Sequence, residues 1–232
     1  MSKIVTIVIP AYNEEQTIAE VLKAVASEPL PEGMLKDIVV VDDGSTDRTA
    51  DIAETLADGQ TLRVFRQQPN QGKAAAIQRG IDEARGDYLL IQDADLEYSP
   101  SHYAALIAPL LKGDADVVYG SRFKGTIRSM QGVNRWANVM SNLTFNVLFG
   151  TALTDINTCY KLFRMADIRS IAIESDHFAF ETEVTAKLVN KGRKIVEVPI
   201  AYEARSVEQG KKINWPKALG MYWAIIRFRF SS

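Results

Sequence analysis

Two aspartates one residue apart, Asp93 and Asp95, follow an apolar run that ends at Ile91. In an extended backbone, residues two apart project from the same side, so both carboxylates can converge on one hard cation and the diphosphate that it binds. Such a pair can also cap a following helix, here one beginning near Ser99 and Pro100. The spacing therefore predicts a divalent metal site, with helix capping as the alternative.

A second acidic cluster follows another apolar run, in which residues 38–41 lead into Asp42, Asp43 and a Gly-Ser turn. Apolar runs at 4–9, 38–41, 62–65 and 88–91 alternate with segments of helical spacing. This alternation predicts an α/β fold with a parallel sheet and helices on its faces. Ligands of such sheets bind outside the carboxyl ends of the strands. We therefore expect the polar clusters at 10–14, 42–45 and 92–95 to meet in one cleft.

The second half of the chain has its own pattern of elements. An amphipathic helix is predicted from Tyr103 to Leu111, a strand at 116–119, a helix at 134–149 and a strand at 196–200. Between Phe123 and Gln131 the composition turns to Gly, Ser, Thr and basic residues, which predicts a mobile loop. No segment is typical of a linker. We expect a single domain over 1–232, with a nucleotide-binding half at 1–97 and an acceptor half at 98–232.

The composition excludes some classes of protein. The 232 residues carry a formal net charge of -2 at pH 7, which argues against a nucleic-acid binder. The single cysteine, Cys159, excludes an internal disulfide and fits a reducing compartment. No leader precedes the first strand, and the apolar stretch at 218–226 falls well short of the about 20 residues of a membrane span. We expect a cytoplasmic protein.

Six segments in this order resemble family-two glycosyltransferases of the GT-A fold, in the branch of dolichyl-phosphate mannose and glucose synthases. The segments are Val8–Glu15, Val41–Asp47, Asn70–Ala74, Asp93–Asp95, Gly120–Arg122 and Val198–Ile200. The resemblance covers nearly the whole chain. It implies a Rossmann-like three-layer sandwich with a mostly parallel central sheet. It also implies an inverting, metal-dependent transfer of a hexose from a GDP- or UDP-linked sugar to polyprenyl or dolichyl phosphate.

The resemblance also implies residue roles. The nucleotide-sugar donor would contact Pro10, Ala11, Tyr12, Glu14, Asp42, Gly44, Gly72, Lys73, Asp93 and Ala94. Mg²⁺ or Mn²⁺ would be held by Asp93, Asp95 and Glu97. The positive charge of the ion would offset the negative charge of the departing diphosphate. Catalytic roles fall to Asp95, Arg122, Asp155 and Glu181. The acceptor phosphate would be bound by Arg135, Arg205, Lys211 and Lys212, with solvated surface charge as the alternative for these cations.

The nature of the acceptor decides the mechanism. An alcohol requires a general base, which Glu181 or Asp155 would supply. A phosphate monoester is already largely dianionic at neutral pH and needs only cations to hold it. Glu181 and Glu183 lie about 200° apart around a helix, so both cannot enter one site, and we prefer Glu181.

The basic residues of the second half favour the phosphate acceptor. A glycan or small-molecule hydroxyl is the main alternative. Sugar-phosphate nucleotidyl transfer ranks lower, because residues 10–15 are acidic where such enzymes carry a Gly-rich basic loop.

Aromatic, aliphatic and basic residues mix from Lys211 to Arg229, which suits peripheral contact with a lipid interface. Packing of this helix on the sheet is the alternative.

Overall fold

One seven-stranded sheet runs through both halves of the chain. The computed structural model describes residues 2–130, 132–175, 179–204 and 215–230. The strands are β1 (Lys3–Ala11), β2 (Met34–Asp42), β3 (Leu62–Arg66), β4 (Tyr88–Ile91), β5 (Val117–Arg128), β6 (Lys161–Arg164) and β7 (Ile195–Glu203). The helices are α1 (Ile18–Ser27), α2 (Thr49–Leu56), α3 (Lys73–Glu83), α4 (Tyr103–Leu111), α5 (Gly132–Phe149), α6 (Met165–Ile168), α7 (Phe180–Asn190) and α8 (Trp215–Phe230). Pro100–His102 form a short 3₁₀ turn capped by Ser99.

The strand order is β3-β2-β1-β4-β6-β5-β7. Strands β1 to β4 are mutually parallel where they pair, and β5 is parallel to β7. Strand β6 runs antiparallel to both of its neighbours, β4 and β5. The predicted α/β fold with a mostly parallel sheet is confirmed, although the antiparallel β6 was not predicted. Only Leu162 and Phe163 of its four residues are apolar, so the segment shows no apolar run like that of β4.

Each face of the sheet carries its own layer of helices. In β1, Val5, Ile7 and Ile9 point into one core with residues of α1 and α4, whereas Val8 points into the other core with residues of α3 and α7. This alternation follows from the two-residue period of an extended strand. Helix α3 lies very close to β1, because a Cβ added at Gly80 would come within 2.3 Å of the Val8 side chain. The result is the three-layer sandwich.

A third apolar cluster joins α5, α7 and α8. Its buried members include Phe145 of α5, Ala186 of α7, and Ile225 and Phe228 of α8. The inner face of α8 therefore packs on α5 and α7, whereas the packing alternative for the C-terminal segment placed this helix on the sheet. Within the described ranges, no helix combines the length and apolar composition that crossing a bilayer requires.

The prediction of a mobile loop between Phe123 and Gln131 was wrong for its described residues up to Arg128. Strand β5 continues to Arg128, and Thr126, Ile127 and Arg128 pair with β7 beyond an irregularity that begins at Ser121. Gly125 has a structural role within this strand. A Cβ there would lie 1.9 Å from the carbonyl oxygen of Ile200, so only glycine lets the two strands approach this closely.

Candidate active site

The carboxyl ends of β1, β2 and β4 lie side by side. Ala11 pairs in register with Asp42, and Val8 pairs with Ile91. The register brings the polar clusters at 10–14, 42–45 and 92–95 to one edge of the sheet. These are the clusters that the sequence predicted to meet there.

Side-chain hydrogen bonds join the loops that follow β1 and β2. The Asn13 backbone N–H donates to Ser45 Oγ at 3.0 Å, and the Thr46 N–H donates to Asn13 Oδ1 at 2.8 Å. The Glu14 N–H donates to Thr49 Oγ1 at 2.7 Å. The loop after β1 is therefore fixed relative to the turn at residues 42–45. Tyr12, at its tip, stays about half exposed and available to a ligand.

Asp42 carries an unsatisfied acceptor. Its side chain is buried, Oδ2 accepts the Ser45 N–H at 3.2 Å, and Oδ1 has no hydrogen-bond partner. A buried acceptor without a donor costs free energy and is rare in folded proteins. The atom therefore calls for a donor that the protein does not supply. Gly44, with a φ of 72° and its Cβ position 2.8 Å from the Asn70 nitrogen, makes this turn tight.

Asp43 positions the start of α3, a role that the sequence reasoning missed. Its carboxylate accepts the backbone N–H groups of Gln71 at 2.8 Å and Gly72 at 2.7 Å. Gly72 then serves as the N-cap of α3, with a φ of 93°. The consequence is that Lys73 occupies the first position of the helix with its side chain directed at β4. The second acid of a consecutive pair was the only available signal.

Lys73 links four elements. Its Nζ lies 2.5 Å from Asp93 Oδ1, 3.0 Å from Cys159 Sγ and 3.9 Å from Glu181 Oε1. Burial alone would lower the pKa of Lys73, but the charges of Asp93, Cys159 and Glu181 outweigh it and raise this pKa well above 10.5. The ammonium is therefore charged at neutral pH. It is the counter-ion of the acidic edge.

Cys159 and Glu181 complete the cluster around Lys73. Cys159 Sγ lies 3.5 Å from Glu181 Oε1. Burial and the nearby Asp93 raise the pKa of the Cys159 thiol well above 9.0, although Lys73 opposes the shift. Glu183 points elsewhere, because it accepts the backbone N–H groups of Glu174 and Ser175. Of the two acids of α7, Glu181 is the one that reaches this cluster.

The residues that were expected to hold a metal lie along the turn after β4. Asp95 Oδ1 accepts the Glu97 N–H at 3.2 Å, and Glu97 Oε2 accepts the Tyr202 hydroxyl at 2.7 Å. In the described parts of the chain, no three His, Cys, Asp or Glu side chains are grouped closely enough to hold a metal ion by themselves. Mg²⁺ at phosphate sites, however, is usually held by one or two carboxylates together with phosphate and water oxygens. Asp93 and Asp95 fit that smaller donor set.

Arg122 and Asp155 form a buried ion pair. Arg122 Nε and Nη2 each lie 2.7 Å from an Asp155 oxygen, and the Arg122 backbone N–H donates to Oδ2 at 3.0 Å. Burial alone would lower the pKa of Arg122, but the neighbouring Tyr98 and Asp155 outweigh burial and raise this pKa well above its ordinary value. The guanidinium lies over the ring of Tyr202, 5.1 Å from its centroid. Asp155 therefore holds the guanidinium in place, and both of its oxygens are engaged.

Glu197 supports this pair and was not predicted. Its carboxylate accepts the backbone N–H groups of Thr154 and Asp155, at 2.8 and 2.9 Å. It is buried on β7, where it pairs with Lys124 at 3.2 Å. A lone acid between two valines of a predicted strand was the only signal in the sequence.

The predicted acceptor cations are only partly described. Arg135 is exposed near the start of α5. Asn138 of the same helix approaches Arg122 Nη2 at 3.5 Å, so this end of α5 is close to the Arg122 pair. Arg205, Lys211 and Lys212 lie outside the described residues.

A family model, "Glycosyl transferase family 2", matches residues 6–171. The chain belongs to this family and is a glycosyltransferase. The expected family and enzyme class are therefore confirmed.

Similar proteins include two relatives of known name. Glycosyltransferase AglJ of Haloferax volcanii is 31% identical over 203 residues, covering 87% of this chain but only 63% of the relative. Polyprenol monophosphomannose synthase of Mycolicibacterium smegmatis is 30% identical over 219 residues, 88% of this chain and 79% of the relative. This chain thus spans less than two thirds of AglJ.

A solved structure shows the same fold. It is glucosyl-3-phosphoglycerate synthase from Mycobacterium tuberculosis in complex with Mn²⁺, UDP-glucose and phosphoglyceric acid. The TM-score is 0.75 at 20% identity, over 98% of this chain and 80% of that protein.

Proposed function

We propose that this protein transfers a hexose, with inversion, from a GDP- or UDP-linked sugar to polyprenyl phosphate in a metal-dependent reaction. The observation that carries the proposal is the distribution of acceptors and charges along one edge of the sheet. Asp42 offers an unsatisfied acceptor at one end, and Lys73 with Asp93 forms a charged pair at the other. A nucleoside diphosphate matches this distribution, because its base carries hydrogen-bond donors for Asp42 and its phosphates carry negative charge for the Lys73 end.

The donor base is assigned to the Asp42 end. Uracil and guanine each present a ring N–H, which would satisfy the buried Asp42 Oδ1. Tyr12 supplies an aromatic surface beside it. The remaining residues assigned to the donor are Pro10, Ala11, Glu14 and Gly44 near the base and ribose, and Gly72, Lys73, Asp93 and Ala94 near the diphosphate.

Asp93 and Asp95 are assigned to Mg²⁺ or Mn²⁺, with Glu97 as a further oxygen donor. When bound, the ion would act as a Lewis acid that offsets charge on the departing diphosphate. The solved glucosyl-3-phosphoglycerate synthase, which binds Mn²⁺ with UDP-glucose, supports the assignment. The Lys73 ammonium, which lies beside Asp93, can turn to a diphosphate oxygen at the start of α3, where backbone N–H groups also favour an anion.

The acceptor phosphate is assigned to Arg122 and Arg135, together with Arg205, Lys211 and Lys212. Arg122 is held by Asp155, so its remaining N–H groups have a fixed direction. A planar guanidinium suits phosphate oxygens. Support for the polyprenyl carrier comes from the M. smegmatis relative, a polyprenol monophosphomannose synthase. A lipid-borne acceptor places the reaction at a membrane, and we propose its cytoplasmic face.

In this mechanism Asp155 is a positioning residue. Both of its oxygens are taken by Arg122, so it is a poor candidate for the general base that an alcohol would need. A phosphate dianion needs no base, because it already carries the nucleophilic oxygen in its charged form.

A second candidate acceptor is a hydroxyl group. Glu181 favours it, because this carboxylate lies in the cluster with Lys73 and Cys159 and can accept a proton there. Glu181→Gln removes the base and leaves the shape of the side chain. It should abolish transfer to a hydroxyl and leave transfer to a phosphate largely intact.

The test uses radiolabelled GDP-mannose, UDP-glucose and related donors with Mn²⁺ or EDTA. Polyprenyl phosphate is compared with the free polyprenol, which differs only in the phosphate. Glycolipid formed from polyprenyl phosphate alone, lost with EDTA and retained in Glu181→Gln, supports the proposal. Equal transfer to polyprenol, or no glycolipid with any donor, contradicts it.

A further inference from the structure

Helix α5 exposes a stripe of apolar side chains on its outer side. Trp136 and Val147 are 68% and 75% exposed, and Val139 and Leu143 between them are also exposed. Their spacing of three or four residues puts them on one face of the helix. The opposite face carries the buried Phe145. This stripe therefore has no partner among the described residues.

Helix α8 has a second stripe of the same kind. Trp223 and Phe230 are 63% and 80% exposed, and Ile226 between them is exposed as well. The two helices are neighbours, because Arg229 Nε of α8 donates to the Leu148 carbonyl of α5 at 2.7 Å. We call the two stripes together the apolar face. It consists of Trp136, Val139, Leu143, Val147, Trp223, Ile226 and Phe230.

Charge on these two helices is of one sign. Neither α5 nor α8 contains an Asp or Glu, although the chain has 29 of them. Arg135 and Arg229 are exposed beside the apolar face. Arg227 is exposed too, although its charge is partly offset by Glu174 at 3.0 Å. The surroundings of the apolar face are therefore basic in a protein whose net charge is -2.

We propose that the apolar face docks on an anionic lipid surface. Tryptophans, aliphatic side chains and flanking arginines on a helix suit the boundary between acyl chains and phosphate headgroups. A second copy of the chain fits less well. A symmetric contact would bring arginines against arginines, since neither helix offers an acid to pair with them. Anionic headgroups supply the missing negative charge.

This inference deepens the proposed function, which already places the reaction at a membrane, but the docking can be tested without sugar transfer. Vesicles that carry no polyprenyl phosphate and no donor report docking alone. A protein that binds them but transfers no sugar would refute only the proposed function, and the reverse result would refute only the docking.

Flotation with vesicles measures the docking directly. Wild-type protein should float with vesicles of phosphatidylcholine and phosphatidylglycerol, less with phosphatidylcholine alone, and less when salt screens the charges. Leu143→Gln with Val147→Gln should reduce the bound fraction by at least about tenfold, because two apolar side chains would leave the lipid. Arg135→Gln should reduce it about fivefold on the anionic vesicles only.

Leu111→Gln is the matched control. Leu111 lies on α4, away from the apolar face, and its exposure of 48% is close to the 54% of Leu143. Vesicle binding should not change in this variant. Equal losses of vesicle binding in Leu111→Gln and in the Leu143→Gln/Val147→Gln variant would show that the apolar face is not specific, and would overturn the proposal.

Intrinsic fluorescence gives a second readout. All three tryptophans of the chain, Trp136, Trp215 and Trp223, belong to α5 and α8. Their emission should shift to the blue on anionic vesicles and be quenched by brominated lipid. No shift and no flotation, together with a dimer that Leu143→Gln dissociates in sedimentation equilibrium, would assign the face to a second copy instead.

Discussion

Replacing Asp155 with asparagine should destabilise the protein strongly. The substitution keeps the shape of the side chain but removes the charge that faces Arg122, and both partners are buried. Removing one member of a buried ion pair typically costs about 3–5 kcal/mol, because the remaining charge is left without compensation. A typical domain is stable by only about 5–15 kcal/mol. Asp155→Asn should therefore remain folded at low temperature but unfold at much lower urea.

Equilibrium unfolding in urea, followed by tryptophan fluorescence, measures this change. Asp51→Asn is the matched control, because its pair with Arg66 is at a similar distance of 2.6 Å but exposed. Exposed ion pairs contribute only about 0–1 kcal/mol to the free energy of unfolding. The double variant Arg122→Met/Asp155→Asn should recover part of the loss, since it no longer buries an unpaired charge. A loss below about 1 kcal/mol in Asp155→Asn, similar to that of the control, would refute the reasoning.

Three further predictions concern single ionisable groups. His102 Nε2 accepts the Ala201 N–H at 3.0 Å, and burial lowers the pKa of His102 from 6.5, so the unfolded chain binds the proton more readily. The melting temperature of wild type relative to His102→Gln should therefore fall as the pH drops below about 6.5. Burial lowers the pKa of Lys161 from 10.5 to about 8, so above about pH 8 the unfolded chain binds this proton more readily than the folded protein. The unfolding free energy of wild type relative to Lys161→Met should therefore rise between about pH 8 and pH 10. A difference that does not change with pH would contradict the lowered pKa. The raised pKa of Cys159 predicts slow modification by iodoacetamide in the native protein and rapid modification in urea, read by mass spectrometry on the only cysteine.

Local patterns were sufficient to predict much of the fold. The strands β1 to β4 and the helices between them follow from apolar runs and helical spacing, because each element buries a face of its own sequence. The acidic turns at Asp42 and Asp93 were placed at strand ends for the same reason. Their meeting at one edge required only the rule that parallel strands end on the same side.

Other features depend on distant contacts that a single sequence does not display. The extension of β5 to Arg128 depends on the close approach of Gly125 to Ile200 across the strand pair. Glu197 supports Asp155 from strand β7, more than forty positions away. Local spacing says nothing about such pairs. The roles of the individual site residues remain predictions.

The pair of Lys73 and Asp93 couples the two halves of the proposed donor site. Lys73 Nζ lies 2.5 Å from Oδ1 of Asp93, the carboxylate that is also assigned to a divalent ion, so the ammonium and the ion would compete for one negative charge. Nearby acids keep Lys73 charged, and a charged ammonium that leaves Asp93 requires another anion. The donor diphosphate would be that anion, since the start of α3 and the carboxylates of the β4 turn face the same edge. The ion and the nucleotide sugar would then each bind more tightly when the other is present. Lys73 would in this way make tight metal binding depend on the donor.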